Sequence, residues 1–117
     1  MIRFGMMLRQ RDILLIPIPF TDLSSTKRRP VLVLSNNQYN DLTDDIVVAA
    51  ITSNLNKSQC GILIEPEHLD EGTLLQRSLI RCDKIYTLNR KLITKRFGRL
   101  NEKIYANVVE TIHKLFR

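Results

Sequence analysis

Arg81-Cys82-Asp83 puts a fixed cation, a thiol and a carboxylate into three consecutive residues. In an extended strand, residues two apart share a face. Arg81 and Asp83 therefore point one way and Cys82 the other, into a core. On residue types alone the charged pair is a same-face ion pair on a solvated sheet, which contributes little. Cys82 has no histidine near it in sequence and reads as a small buried hydrophobe rather than a nucleophile. A second group of cations, Lys27-Arg28-Arg29, arrives directly before Pro30. The proline ring pushes Arg29 out of helical space towards extended backbone. Its charge is thus delivered on the first rung of a strand, whereas Lys27 and Arg28 read as solvated or steering charges. Thr52-Ser53 closes a third apolar run with two hydroxyls, which also suit side-chain capping of a loop.

Together these residue types can do one kind of chemistry. Cutting RNA without a metal requires a base for the 2′-hydroxyl, cations for the phosphorane charge and help for the departing 5′-oxygen. Asp83 can be the base, with Arg29 and Arg81 as the electrostatic clamp. DNA lacks the 2′-hydroxyl and resists this route. Nothing in the sequence points to a metal or a cofactor: His68 and His113 are far apart, and the four glycines are isolated rather than grouped into a phosphate loop. Glu65, Glu67, Asp70 and Glu71 read as a solvated acidic loop. The stripe Arg90, Lys91, Lys95, Arg96, Arg99 and Lys103 reads as a solvated face or as phosphate steering.

The elements that must position these side chains are mostly strands. Asp12–Phe20 predicts strand one; its two prolines suit an edge or a strand end, because neither can donate to a ladder. Thr21–Thr26 is a polar loop. Pro30–Ser35 and Ile46–Thr52 predict strands two and three, apolar on both faces and so buried. Asn36–Asn40 is rich in turn formers, and Asp41–Asp45 extends that loop. After the loop Ser53–Ser58, Ile62–Ile64 predicts a short strand closed by Pro66. Glu67–Gln76 is acidic and irregular, with Gly72 as a breaker. Ser78–Leu88 holds at least one more strand, and Leu92–Phe97 is a helical turn or short strand ended by Gly98. Ile104, Val108, Ile112 and Phe116 recur every four residues, widened by Tyr105, Val109 and Leu115, and predict a C-terminal amphipathic helix. Asn101 is its N-cap. Short strands followed by one such helix imply an α+β, mainly β architecture: a small barrel or strongly bent antiparallel sheet with the helix against it.

Length and charge bound the rest. The 117 residues make one domain spanning the chain, and a net charge of +6 favours an anionic partner. Two irregularly placed cysteines indicate no disulfide framework and a reduced compartment. The N-terminus lacks a signal-peptide core, and no apolar run approaches the roughly 18 residues of a membrane span, so a soluble cytoplasmic protein is expected.

The motifs, taken in order, resemble the MazF/PemK family of toxins from type II toxin–antitoxin systems. The resemblance runs from about Asp12 to Phe116. Asp12-Ile13 matches the end of the opening Gly-Asp-Ile/Val motif, with Arg11 where glycine is usual. Arg29-Pro30-Val31-Leu32-Val33-Leu34-Ser35 matches the Arg-Pro-aliphatic strand, and Ala49-Ala50-Ile51-Thr52-Ser53 the Ile-Thr-Ser strand end. Ser78–Leu88 matches the strand ending Ile-Arg-Thr-Leu, with Tyr86 in place of the arginine, and Gly98-Arg99-Leu100 precedes the helix. The resemblance implies an SH3-like barrel of five to seven antiparallel strands, a homodimer and a metal-independent endoribonuclease that cuts single-stranded mRNA. It also implies an antitoxin whose disordered acidic tail blocks the RNA groove. Arg29 and Thr52 are carried over as catalytic from MazF-like members, and Arg81 and Asp83 from PemK-like members that share Arg-Cys-Asp. Charge stabilisation suits Arg81 better than acid catalysis, because a guanidinium does not release its proton. RNA contacts are expected from Lys27, Arg28, Ser53, Ser78, Lys84 and Tyr86. Two rivals share the fold: a CcdB-like gyrase poison acting through its C-terminal residues, and an RNA-binding barrel with a decayed site.

Overall fold

The computed structural model describes residues 7–17, 28–56 and 60–117. The expected end of strand one beyond Pro17, the loop Thr21–Thr26, Lys27 and the end of the loop at Lys57-Ser58 lie outside the described residues. Among the described residues, seven strands form one antiparallel sheet: β1 (Asp12–Pro17), β2 (Arg28–Val33), β3 (Asp45–Thr52), β4 (Gly61–Ile64), β5 (Leu69–Gly72), β6 (Ser78–Asn89) and β7 (Lys95–Leu100). Their spatial order is β4-β6-β3-β2-β1-β7-β5. The sheet curls into a half-barrel whose outer strands β4 and β5 do not pair with each other. The two helices are α1 (Asn37–Leu42) and α2 (Glu102–Leu115). The expected mainly-β SH3-like barrel with a C-terminal helix is the architecture found. Among the described residues, no helix is long and apolar enough to cross a membrane.

The central strands are apolar on both faces because the sheet has a core on each side. Pairing fixes which residue faces which core. Leu14, Ile16, Val31, Val33, Ile46 and Val48 form one cluster, covered by Leu8 and Ile93. Ile13, Leu32, Ala49, Ile51, Ile80 and Cys82 form the other, covered by Leu100 of β7 and Val108 of α2. Val108 is fully buried, and burying a side chain of this size contributes roughly 1.5–3 kcal/mol. The helical stripe is only partly used: Val109, Leu115 and Phe116 stay exposed.

Several elements differ from the sequence expectation. β1 lies between β2 and β7, so it is no edge strand. The turn-rich Asn36–Asn40 opens α1: the Asn36 side chain accepts from the Tyr39 amide at 2.8 Å. The Arg90 guanidinium closes the same helix by donating to the Asn40 and Thr43 carbonyls, as a cation suits a helix C-terminus. Glu67–Gln76 is not irregular throughout. It contains a 3₁₀ turn, Pro66–His68, and then β5. Gly98 does not end a segment but lies inside β7. Gly72, at φ +83°, sits against it so closely that a side chain on either would meet the backbone of the other strand.

Half of the basic stripe is engaged within the fold, while Lys91, Lys95 and Lys103 stay exposed as expected. Asp12 is completely buried and accepts from Arg96 Nε at 3.1 Å and Arg99 Nε at 3.0 Å. Glu71 receives the outer nitrogens of the same two arginines. Arg11, at φ +78°, spends its guanidinium on the Leu100 carbonyl (2.6 Å) and Asp70 (3.2 Å). The acidic loop and three arginines are therefore a clasp holding β5, β7 and the start of β1 together.

Candidate active site

Strand register brings the candidate residues together. Val31 of β2 pairs with Ala50 of β3, and Ala50 pairs with Arg81 of β6. Paired residues share a face, and so do residues two apart. Arg29, Thr52 and Arg81 therefore face the same way at one end of the sheet. Thr52 pairs with Leu79, which makes Arg81 its diagonal neighbour across the strands, at a Cα spacing of about 7–8 Å. Arg29 stands on the side of Val31 that faces Thr52, since β2 and β3 are antiparallel. Pro30 lies just outside the β2–β3 ladder, which begins at Val31.

The Arg-Cys-Asp tripeptide sits in a break in β6. Ala50 pairs with Arg81, but the next residue back, Ala49, pairs with Ile85. Cys82, Asp83 and Lys84 have no partner on β3. The Cys82 amide instead donates to the Cys60 carbonyl at 2.9 Å, just beyond β4. Such a bulge re-aims side chains. Cys82 turns into the core and is fully buried. Burial pushes its thiol up to about 12, so it is no nucleophile. Asp83 and Lys84 are exposed. The break also changes the phase of the strand. Before it Leu79 and Arg81 face the candidate site; after it Tyr86, paired with Val48, does so. Tyr86 packs half-buried on the cluster of Leu14, Val33 and Val48.

Arg81 and Asp83 form a two-pronged ion pair, with Arg81 Nε and Nη2 each 3.1 Å from a carboxylate oxygen. That hydrogen bond to Arg81 holds the Asp83 carboxyl below the ordinary carboxylate value, and Asp83 in turn raises Arg81. In this state the carboxylate is a weak base, occupied by its partner. It becomes available when a phosphate competes for the guanidinium. Thr52 Oγ1 accepts from the Asn54 amide at 3.1 Å, which leaves its own proton to donate.

The remaining candidates lie elsewhere. Arg28 pairs with Pro17 and therefore faces the opposite side from Arg29. Ser53 and Ser78 share that opposite side. With Arg29 itself, and with Ile13, Leu15, Pro30, Ile51, Thr73, Gln76 and Phe97, they line a cleft of about 250 Å³. Register thus sorts the expected set, with Arg29, Thr52, Arg81 and Tyr86 on one face, Arg28, Ser53 and Ser78 on the other and Lys84 at the bulge, while Arg29 at the strand end also reaches the cleft of the second group. Sequence reasoning missed Thr73, Gln76 and Phe97. They come from β7 and the segment before β6, and no local pattern joins them to β2. Among the described residues, no three His, Cys, Asp or Glu side chains gather as a metal site would need.

The chain is 28% identical over 107 residues to an endoribonuclease MazF of Staphylococcus saprophyticus, covering 91% of this chain and 88% of that one. Its fold matches the Mycobacterium tuberculosis toxin MazF-mt6 with a TM-score of 0.72, at 23% identity over 91% of this chain and 96% of the other. It also matches an endoribonuclease from a mycobacterial species, solved in complex with its cognate antitoxin, with a TM-score of 0.74 at 16% identity over 93% and 94% of the two chains. Residues 9–116, nearly the whole chain, match the family described as PemK-like, MazF-like toxin of type II toxin-antitoxin system, and the chain belongs to that family.

Proposed function

We propose that this toxin is a single-domain, metal-independent endoribonuclease of the cytoplasm that cuts single-stranded mRNA. The observation that carries the reading is the shared face of Arg29, Thr52 and Arg81, with Asp83 ion-paired to Arg81 beside them. A scissile phosphate entering between the two arginines draws Arg81 from Asp83. The freed carboxylate takes the proton of the adjacent 2′-hydroxyl. The 2′-oxygen then attacks phosphorus, and the bond from phosphorus to the 5′-oxygen breaks. Arg29 and Arg81 hold the charge on the non-bridging oxygens, and the Thr52 hydroxyl donates to one of them. The proton returns from Asp83 to the leaving 5′-oxygen. The products are a 2′,3′-cyclic phosphate and a 5′-hydroxyl. Lys27, Arg28, Ser53, Ser78, Lys84 and Tyr86 contact the flanking RNA, Tyr86 by stacking under a base.

The partners follow from the same reading: a second copy of the chain, and an antitoxin with an acidic disordered tail that blocks the RNA site. The complexed mycobacterial relative supports the antitoxin assignment.

The test is cleavage of single-stranded RNA in the presence of a chelator, with a 2′-deoxy substitution at the cut site as control. Arg29→Ala and Arg81→Ala, with far-UV circular dichroism unchanged, should both lose cleavage. Full activity in both variants would remove the site assignment. One observation favours a rival, a gyrase poison acting through the chain end: Phe116 is 79% exposed. Growth arrest with intact RNA and gyrase-dependent DNA damage would select that rival.

A further inference from the structure

We infer that Cys60 and Cys82 form a reversible disulfide between the start of β4 and the break in β6, and that closing it shifts Arg81 and Asp83 and slows cleavage. The effect on cleavage rests on the endoribonuclease reading above; the disulfide itself does not.

Register puts the two thiols opposite each other. Gly61 of β4 pairs with Arg81, and Ile62 with Ile80. One step further along the same ladder Cys60 stands opposite Cys82, and the Cys82 amide donates to the Cys60 carbonyl at 2.9 Å. Residues directly opposite share a face. Both side chains pack into one cluster, with Ile62 and Ile80 beside them. A hydrogen-bonded antiparallel pair holds its Cα atoms about 5.5 Å apart, inside the roughly 4.4–6.8 Å that a disulfide spans. The Cβ atoms of such a pair stand about 4.5–5.5 Å apart, and a disulfide needs about 3.8 Å. Closing the bond therefore draws the two Cβ atoms together by about 1 Å.

Cys60 is the point of entry. It is partly exposed, whereas Cys82 is buried, so a small disulfide oxidant such as oxidised glutathione reaches Cys60 alone. The Cys60 thiolate attacks one sulfur of the oxidant, that S–S bond breaks, and one glutathione thiolate leaves. The Cys82 thiol then gives up its proton, attacks Cys60 Sγ and releases the second glutathione thiolate. The two thiol protons pass through water to the two departing thiolates, so two protein thiols are oxidised to one disulfide and the oxidant is reduced to two glutathione thiols. Burial keeps Cys82 mostly protonated, which makes the second step slow, but its target is held directly opposite and does not diffuse away. Cys60 also sits at φ +56°, a region that residues with a side chain rarely adopt. A disulfide anchored on strained backbone is of the labile, regulatory kind.

The consequence for the site follows from the strand order. Cys82 lies between the two members of the ion pair and has no partner on β3 to hold it. β4 lies on the far side of β6 from β3 and β2. Drawn towards β4, Cys82 carries Arg81 and Asp83 away from Arg29 and Thr52. A displacement of about 1 Å at a catalytic group costs about 100-fold in rate.

The test starts with folded wild-type protein, incubated with oxidised glutathione, blocked with N-ethylmaleimide and digested without reduction. Mass spectrometry should find Cys60 linked to Cys82, and dithiothreitol should undo the link. Cys60 carrying glutathione with Cys82 still a thiol, or a Cys60–Cys60 link between two copies, overturns the disulfide whether or not the protein cuts RNA. Side-chain NMR of Arg81 then compares the reduced and oxidised forms. An Nε resonance that moves supports the displacement, and one that stays overturns the switch. Oxidised protein should cut single-stranded RNA about 100-fold more slowly than reduced protein, and Cys60→Ser should cut at the reduced wild-type rate in either buffer. Equal cleavage by the oxidised and reduced wild type overturns the switch. Reduced protein that cuts nothing sinks the nuclease reading alone, and the linked peptide and the Arg81 resonance still decide the rest.

Discussion

Arg81 grips Asp83 with two nitrogens, each 3.1 Å from a different carboxylate oxygen. The grip keeps the carboxyl ionised and also keeps it busy. On the proposed mechanism, Arg81→Ala removes a phosphate ligand and frees the base at once. Loss of one preorganised electrostatic partner lowers kcat by about 100- to 1,000-fold, and single-turnover cleavage measures it.

The same pair sets the pH response. Because Asp83 is held below its ordinary value, its contribution to stability is present above the unfolded-state carboxylate value. That contribution is lost as pH falls through the lowered folded value. In wild-type protein the Asp83 carboxyl should titrate on the acid side of 3.8, and in Arg81→Ala it should move back up towards it. Carbon-detected NMR of the carboxyl group reads both. An unmoved titration in the variant would show that Arg81 is not the cause.

Asp12 should matter to stability as Asp83 is proposed to matter to chemistry. It is fully buried and accepts from Arg96, Arg99 and the Arg9 amide. Asp12→Ala leaves two guanidinium groups beside a cavity. Breaking one side of a buried ion pair costs about 3–5 kcal/mol, to be seen as a lower midpoint in urea.

The glycine contact between β5 and β7 gives a sharper steric test. A Cβ on Gly98 would run into the Glu71 carbonyl and come within 2.9 Å of the Gly72 Cα. Gly98→Ala should detach β5 and cost about 1–3 kcal/mol, as overpacking does. Hydrogen exchange should quicken at Leu69–Gly72 before it does at β3.

The two cysteines should differ in reactivity. The Cys82 thiol is buried and pushed up to about 12, whereas Cys60 is partly exposed. Iodoacetamide at pH 8 should label Cys60 and spare Cys82 until the protein is unfolded, with mass spectrometry as the readout.

The central strands were legible because their cause is local: runs such as Val31–Leu34 and Ile46–Ile51 are apolar on both faces, and Pro30 fixes how Arg29 enters. α2 was legible from its four-residue period. α1 was not, because it is six residues long, without an apolar stripe, and is closed by Arg90 from far along the chain. β5 was hidden for a similar reason. Its acidic residues look like solvated loop, and only the arginines of β7 and Arg11 make them a strand edge. The candidate site was half legible. Residue types drew attention to Arg29, Thr52, Arg81 and Asp83, but their proposed roles came from the family resemblance, since by type alone Arg81 and Asp83 read as a solvated ion pair. The sorting of contact residues between two faces depends on register, and the placing of Tyr86 depends on a break that no local pattern announces.

That break in β6 has a consequence for how the chain can change length. Cys82, Asp83 and Lys84 are looped out between two stretches of regular pairing, and the pairing of Tyr86 with Val48, not the number of looped residues, sets which way Tyr86 and Leu88 face. A residue gained or lost in the loop can be absorbed there without re-sorting either core. The same change inside the paired stretches on either side would slip the register and turn every side chain beyond it to the other face. Across descendants of this sequence, insertions and deletions in β6 should gather at this point.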